Sequence, residues 1–247
     1  MSPSFAEYRA AVDQAGFAVV PRVVGEAELA ALTDALVRLA ASGHLDGRGG
    51  ARDVFRLVPE VARLAVSRPM WQLAEMVLGP NPVAVRALVF DKRPGANWKV
   101  SWHQDLTIAV KERRELAGFG SWTTKAGIPH VQPPSTVLDR MLTLRLHLDP
   151  CGPDNGPVRV MPGSHRHGRV SAGQIDEYRA GQGFFECVAQ RGDVLAMRPL
   201  LLHASSAATS PAHRRVIHIE YAAFDALPTE LEWHECWQPQ SSRSSAA

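Results

Sequence analysis

The stretch RGDVLAMRPLLLHAS, residues 191–205, opens on a Gly-Asp turn signal, runs through apolar residues and ends on His203. It reads as a β-strand. An imidazole at the end of an apolar run needs a polar partner, because burial without one costs free energy. Similar short runs fill the chain from Pro82 onward: PVAVRALVFDKRP, KVSWHQDLTIAV, MLTLRLHLDP, GPVRVMPGSH, FFECVAQRGDVLAMRP, LLLHASSA and RRVIHIEYAAF. Turn signals separate them, with Pro-Gly at 94–95, Asn-Gly at 155–156 and Pro-Gly at 162–163. Many short strands with such turns predict a sandwich or jelly roll. Upstream the period changes. SFAEYRAAVDQAG has helical spacing and ends at Gly16 as a C-cap, and FAVVPRVV is a short strand. GEAELAALTDALVRLAAS puts Leu29, Leu32, Leu36 and Leu39 on one stripe. VPEVARLAVSRPMWQLAEMVLG is helical with a break near Pro69. Helices first and strands after predict an α+β, mainly β chain whose N-terminal helices buttress one sheet. Residues 111–140 interrupt the strands with little periodicity, the pattern of a lid or binding loop.

The chain has 247 residues, enough for a substantial core, with 45% hydrophobic and 21% charged residues. A formal net charge of +2, with both signs mixed along the chain, excludes the basic stripe of a nucleic-acid binder. Three cysteines without C-x-x-C spacing argue against a disulfide framework and a structural zinc site. No secretory leader and no membrane-spanning run is read, so a cytoplasmic protein is expected. QPQSSRSSAA at 238–247 reads as a disordered tail.

Working back from His203, the stretch SWHQDLTIAV at 101–110 carries His103 and Asp105 two positions apart. In a strand these share a face, and Gln104 takes the other. Taken alone, the pair fits either a polar staple or two thirds of a metal site. With His203 it makes two histidines and one carboxylate, the ligand set of non-haem Fe(II) oxygenases. The next strand opens with Arg214 and Arg215, either of which could clamp a carboxylate through two parallel hydrogen bonds.

These motifs resemble the phytanoyl-CoA dioxygenase-like family of Fe(II)- and 2-oxoglutarate-dependent oxygenases. The matching segments are WHQD (102–105), NGPVRVMPGSH (155–165), RGDVLAMRPLLLHAS (191–205), RRVIHIEY (214–221) and, upstream, VFDKRP (89–94). The resemblance implies a double-stranded β-helix, the cupin-like jelly roll, with the N-terminal helices packed on its major sheet. It implies a single oxygenase domain over 1–237, with a helical part to about 80, a jelly-roll core over about 82–225 and the lid-like insertion inside it. It implies that His103, Asp105 and His203 ligate iron and that 2-oxoglutarate and O2 are co-substrates. Arg214 would meet the distal carboxylate of 2-oxoglutarate, with Ser205, Lys92 and Thr143 nearby. The reaction implied is hydroxylation or another oxidation of an unactivated C–H bond, with succinate and CO2 as co-products. Halogenating relatives lack the carboxylate at the position of Asp105. The chain departs from the family at two places. Ala208 stands where an Asn is common, and Arg145 replaces a common Trp.

Parity sets Arg214 with Val216 and His218, and Arg215 with Ile217 and Ile219. The second set is more apolar and by itself would point Arg215 inward; the offset from His203, as in the family, favours Arg214. Arg145, with His147 and Thr143 on its face, could line the barrel, where its charge would serve either an acidic substrate or the co-substrate. Trp122, His130 and Gln132 in the lid segment could touch substrate as well. Trp98 and Trp102 are read as packing residues, and His165 and His167 as turn or surface groups. The partner expected is a small molecule, without nucleic acid or membrane, for a monomer or homodimer. The competing functions are a non-catalytic jelly roll that binds a metal or metabolite, and a cupin-like metalloenzyme that does not use 2-oxoglutarate.

Overall fold

Ser4 starts the first helix, α1 (Phe5–Ala15), through a capping box: its hydroxyl accepts from the Glu7 N–H at 3.3 Å, and the Glu7 carboxylate accepts from the Ser4 N–H at 2.5 Å. Gly16 ends it in the left-handed region at φ 87°, where an added Cβ would sit 2.5 Å from the His165 ring. The structure is a computed structural model and describes residues 4–181 and 183–239. Most of the tail expected at 238–247 lies outside the described residues.

Helix α2 (Glu26–Ala41) buries the leucine stripe at 29, 32, 36 and 39. After α3 (Val54–Leu57), α4 (Pro59–Ala65) and α5 (Arg68–Leu78) divide at Ser67, with Pro69 in the first turn of α5, where its missing N–H costs nothing.

The strands, in chain order, are β1 (Phe17–Val20), β2 (Gly50–Ala51), β3 (Val83–Lys92), β4 (Val100–His103), β5 (Ile108–Ala109), β6 (Gly120–Lys125), β7 (Ile128–Gln132), β8 (Met141–His147), β9 (Val158–Val160), β10 (Phe185–Cys187), β11 (Val194–Met197), β12 (His203–Ser205) and β13 (Arg214–Ala222). A six-stranded sheet runs β1-β11-β8-β13-β3-β2, and a four-stranded sheet runs β10-β9-β12-β4, with antiparallel pairing throughout. This is the jelly roll expected from the sequence. The first core lies between the large sheet and the helices, where Leu142, Leu144, Leu146, Ile217 and Ile219 meet the α2 leucines. Tyr221 joins them and donates its hydroxyl to the Ala65 carbonyl at 2.8 Å. A smaller cluster of Val158, Val160, Leu195, Met197 and Leu201 closes the space between the sheets.

Three segments differ from the sequence reading. Residues 191–205 are two strands, β11 in the large sheet and β12 in the small one, joined by a corner at 198–202. Pro199 forces that corner, since it can neither donate to a ladder nor continue a central strand. Residues 101–110 are likewise two strands, and β4 stops at His103. Residues 111–140 are ordered structure: β7 pairs with β5 on one side and β6 on the other in a third sheet, and α6 (Ser135–Leu138) follows. Ile108, Val110, Val131, Val137 and Leu138 bury this segment against a third apolar cluster. The remaining helix, α7 (Ala172–Gly181), buries no residue.

Candidate metal centre

The corner at 198–202 sets the site through three consecutive carbonyls. Pro199 O accepts the Asp105 N–H at 2.9 Å, Leu200 O accepts from the Gln104 side-chain amide at 2.7 Å, and Leu201 O accepts from His203 Nδ1 at 2.9 Å. His103 Nδ1 is bound in the same manner by Ser101 O at 2.8 Å. Both imidazoles therefore carry their proton on Nδ1 and present a bare Nε2, the tautomer a metal ligand requires. Asp105 Oδ1 lies 3.9 Å from His103 Nε2, and its Oδ2 lies 3.7 Å from His203 Nε2. The ligand atoms of all three residues fall within 4.8 Å of one another. Asp105 Oδ2 is buried without a hydrogen-bond partner. Two imidazoles anchored through Nδ1 and a carboxylate with an orphaned oxygen fit divalent iron. Burial works to raise the Asp105 carboxyl, but His203, His218 and His103 outweigh it and hold it well below the usual range. Burial brings His203 down to about 4, so it stays neutral at physiological pH. Gln104 faces away, as parity implies, and spans the backbone of Gly168, Val170 and Leu200.

The triad opens into a cavity that Ser205, Arg145, Arg214 and His218 also line. Arg214 is buried, donating from Nη1 to Gly156 O at 2.7 Å. Arg215 points to the helix side and closes a two-bonded pair with Asp149 at 2.8 and 2.6 Å. The apolar face of β13 thus belongs to the helix core, and the polar face with Arg214 belongs to the barrel. Lys92, paired with Arg214 across the ladder, donates to Ser205 Oγ at 3.1 Å and Ser206 O at 2.5 Å. Gly156 makes room for this: at φ 60°, an added Cβ would lie 2.5 Å from Ser206 O.

Not every expected residue reaches the cavity. Thr143 and His147 are buried in the barrel but lie outside its lining, and His147 is held neutral, brought down to about 3 by burial and then by Arg145. Trp122 and Gln132 belong to the third sheet, away from the lining, because the segment packs as a hairpin. His130 of the same hairpin is buried, bonded to Ile128 O at 2.9 Å, and borders a separate small cavity. The sequence reading missed Trp98, Phe90, Arg86 and His218, all on the cavity wall. Parity could have found most of them: Phe90 and Arg86 lie at even spacing from Lys92, and His218 from Arg214. Trp98 precedes its strand and carries no such mark.

A model of the phytanoyl-CoA dioxygenase (PhyH) family matches residues 12–216. The chain belongs to the phytanoyl-CoA dioxygenase family. Among relatives of this dioxygenase-family chain, the ectoine dioxygenase of Sphingopyxis alaskensis is 27% identical over 178 residues, which is 67% of this chain and 51% of that protein. The ectoine dioxygenase of Stutzerimonas stutzeri is 26% identical over 179 residues, covering 67% and 52%. The chain thus spans about half the length of the curated relatives it matches. Among solved structures, AviO1 from Streptomyces viridochromogenes Tue57 has a TM-score of 0.69 at 22% identity, covering 92% of this chain and 99% of that one. EctD from S. alaskensis, solved with 2-oxoglutarate and 5-hydroxyectoine, also has a TM-score of 0.69 at 22% identity, covering 90% and 77%. These likenesses support the same fold. No helix among the described residues is long and apolar enough to cross a membrane.

The two departures from the dioxygenase family have structural counterparts. Where Ala208 replaces the common Asn, Asn97 clamps the loop from the opposite strand end, donating to Ala208 O at 2.9 Å and accepting from its N–H at 2.7 Å. Arg145, in place of the common Trp, donates from Nη1 to His218 Nδ1 at 2.9 Å. His218 Nε2 donates in turn to Glu220 at 3.3 Å, and Glu220 pairs with Arg86.

Proposed function

We propose that this protein is an Fe(II)- and 2-oxoglutarate-dependent dioxygenase that hydroxylates, or otherwise oxidises, an unactivated C–H bond of a small molecule, with succinate and CO2 as co-products. The observation that carries this reading is that three convergent ligand atoms within 4.8 Å share one cavity with a buried arginine. His103, Asp105 and His203 hold the iron, and Arg214 with Ser205 and Lys92 receives the distal carboxylate of 2-oxoglutarate. Bound iron and 2-oxoglutarate supply the activation of O2. The residues of the chain bind and orient. The carbonyls of Ser101 and Leu201 keep Nε2 of each histidine aimed at the metal. Arg214 offers its fork to a carboxylate in a setting of low dielectric. Leu88, Phe90, Trp98 and Val158 make the wall apolar and limit water near the oxidant.

The test is direct. Aerobic protein with Fe(II) is expected to consume 2-oxoglutarate and form succinate. Asp105→Ala is expected to lose bound iron and about a hundredfold or more of that turnover. Full turnover in the Asp105→Ala protein would sink the reading.

A further inference from the structure

The cavity holds at least one more positive charge than its proposed cofactors can balance. Two charges on the iron and one on Arg214 are matched by Asp105 and the two carboxylates of 2-oxoglutarate. Arg86 is matched by Glu220, with which it pairs. Arg145 has no such match, even with Lys92 counted as neutral. Its Nη1 donates to His218, a neutral ring whose other nitrogen already faces Glu220. Its Nε is buried with no hydrogen-bond partner. The side chain is 8% exposed, lines the cavity and lies over the Phe90 ring at 5.4 Å. No ion pair among the described residues includes it. A buried guanidinium left in this state is costly, and an arriving anion removes the cost.

We propose that Arg145 is a specificity residue that receives an anionic group, a carboxylate or similar small oxyanion, on the substrate. The inference rests on the oxygenase reading and adds the substrate class: an acid, oriented by its charged group with the C–H bond held toward the triad. His218 and Phe90 fix the guanidinium plane, so that Nε and the second Nη remain for a two-point contact. The same chemistry could come from the second carboxylate of 2-oxoglutarate, and the experiment separates the two sources.

Protein loaded anaerobically with Fe(II) and 2-oxoglutarate is titrated by calorimetry with hexanoate, 3-phenylpropanoate and N-acetylglycine, each against its primary amide. The wild type is expected to prefer at least one acid over its amide by about tenfold or more, Arg145→Met to lose that preference, and Arg145→Lys to keep part of it. The Kd of Arg145→Met for 2-oxoglutarate is expected to stay within about threefold of the wild type. Absence of any acid preference in the wild type overturns the proposal. So does a Kd for 2-oxoglutarate raised more than about tenfold in Arg145→Met while the acid preference persists, because Arg145 then serves the co-substrate. If the wild type binds no 2-oxoglutarate, the oxygenase reading itself fails, and the acid titration of the unloaded protein reports on Arg145 separately.

Discussion

Arg214 and Arg215 are adjacent in sequence and opposite in use, and substitution should separate them. Arg214→Ala is expected to raise KM for 2-oxoglutarate by roughly tenfold to a hundredfold while the fold persists, since the loss is a charged contact worth about 1.5–3 kcal/mol. Arg215→Ala is expected to leave that KM unchanged and cost about 1–3 kcal/mol of stability, because Asp149 loses two side-chain hydrogen bonds. Steady-state kinetics and denaturant unfolding of both variants check the split. Lys92 adds a pH signature. Burial and then Arg214 bring its ammonium down to about 7, against 10.5 ordinarily. Between those values the unfolded chain binds a proton that the fold does not, so the unliganded protein gains stability through this group as pH rises. A carboxylate arriving at the site restores the charge. Binding of 2-oxoglutarate at pH 8 should therefore take up a proton, which calorimetry in two buffers of different ionisation enthalpy will read.

At the scale of the element, the corner between β11 and β12 does most of the positioning. Gln104→Leu removes the amide that ties the metal-ligand segment to Leu200, Gly168 and Val170. It is expected to lower iron affinity about tenfold to a hundredfold without touching a ligand, measured by titration with Fe(II) under nitrogen. This corner also marks what the sequence could convey. The grouping of His103, Asp105 and His203 was legible because residue type and order carry it, and the α2 stripe was legible because its period is that of a helix. The change of sheet at the corner was not, since LAMRPLLLHA is apolar on both sides of Pro199 and buried in both sheets, so hydrophobicity marks no crossing where the two runs divide. The hairpin at 120–132 was obscured for a related reason. Its β6 face is half exposed and its turn runs through Ala126 and Gly127, both in the left-handed region, which weak periodicity disguised as a loop. The direction of β13 was misleading in its apolarity, because a sheet with helices on one side and a polar cavity on the other puts its greasiest residues away from the site.

Across the whole molecule, the helices act as a rigid backing for the sheet that carries Arg145, Arg214 and His218. Leu32→Ala, at a position 1% exposed between α2 and the sheet, is expected to cost about 2–5 kcal/mol in chemical denaturation. Tyr221→Phe should cost about 1–2 kcal/mol, since it strips the Ala65 carbonyl of its hydroxyl partner and loosens α4 from β13.

The paired carbonyl contacts of His103 and His203 have a further consequence. They hold Nδ1 of both rings on backbone carbonyls and leave both Nε2 atoms for a metal. A site shaped in advance by its own backbone has little means of refusing the wrong ion. Nickel, cobalt and copper bind such nitrogen and oxygen donors more tightly than iron does. On the proposed reading, supply decides which metal occupies these donors, and nickel-exposed protein is expected to stay folded and to form no succinate from 2-oxoglutarate.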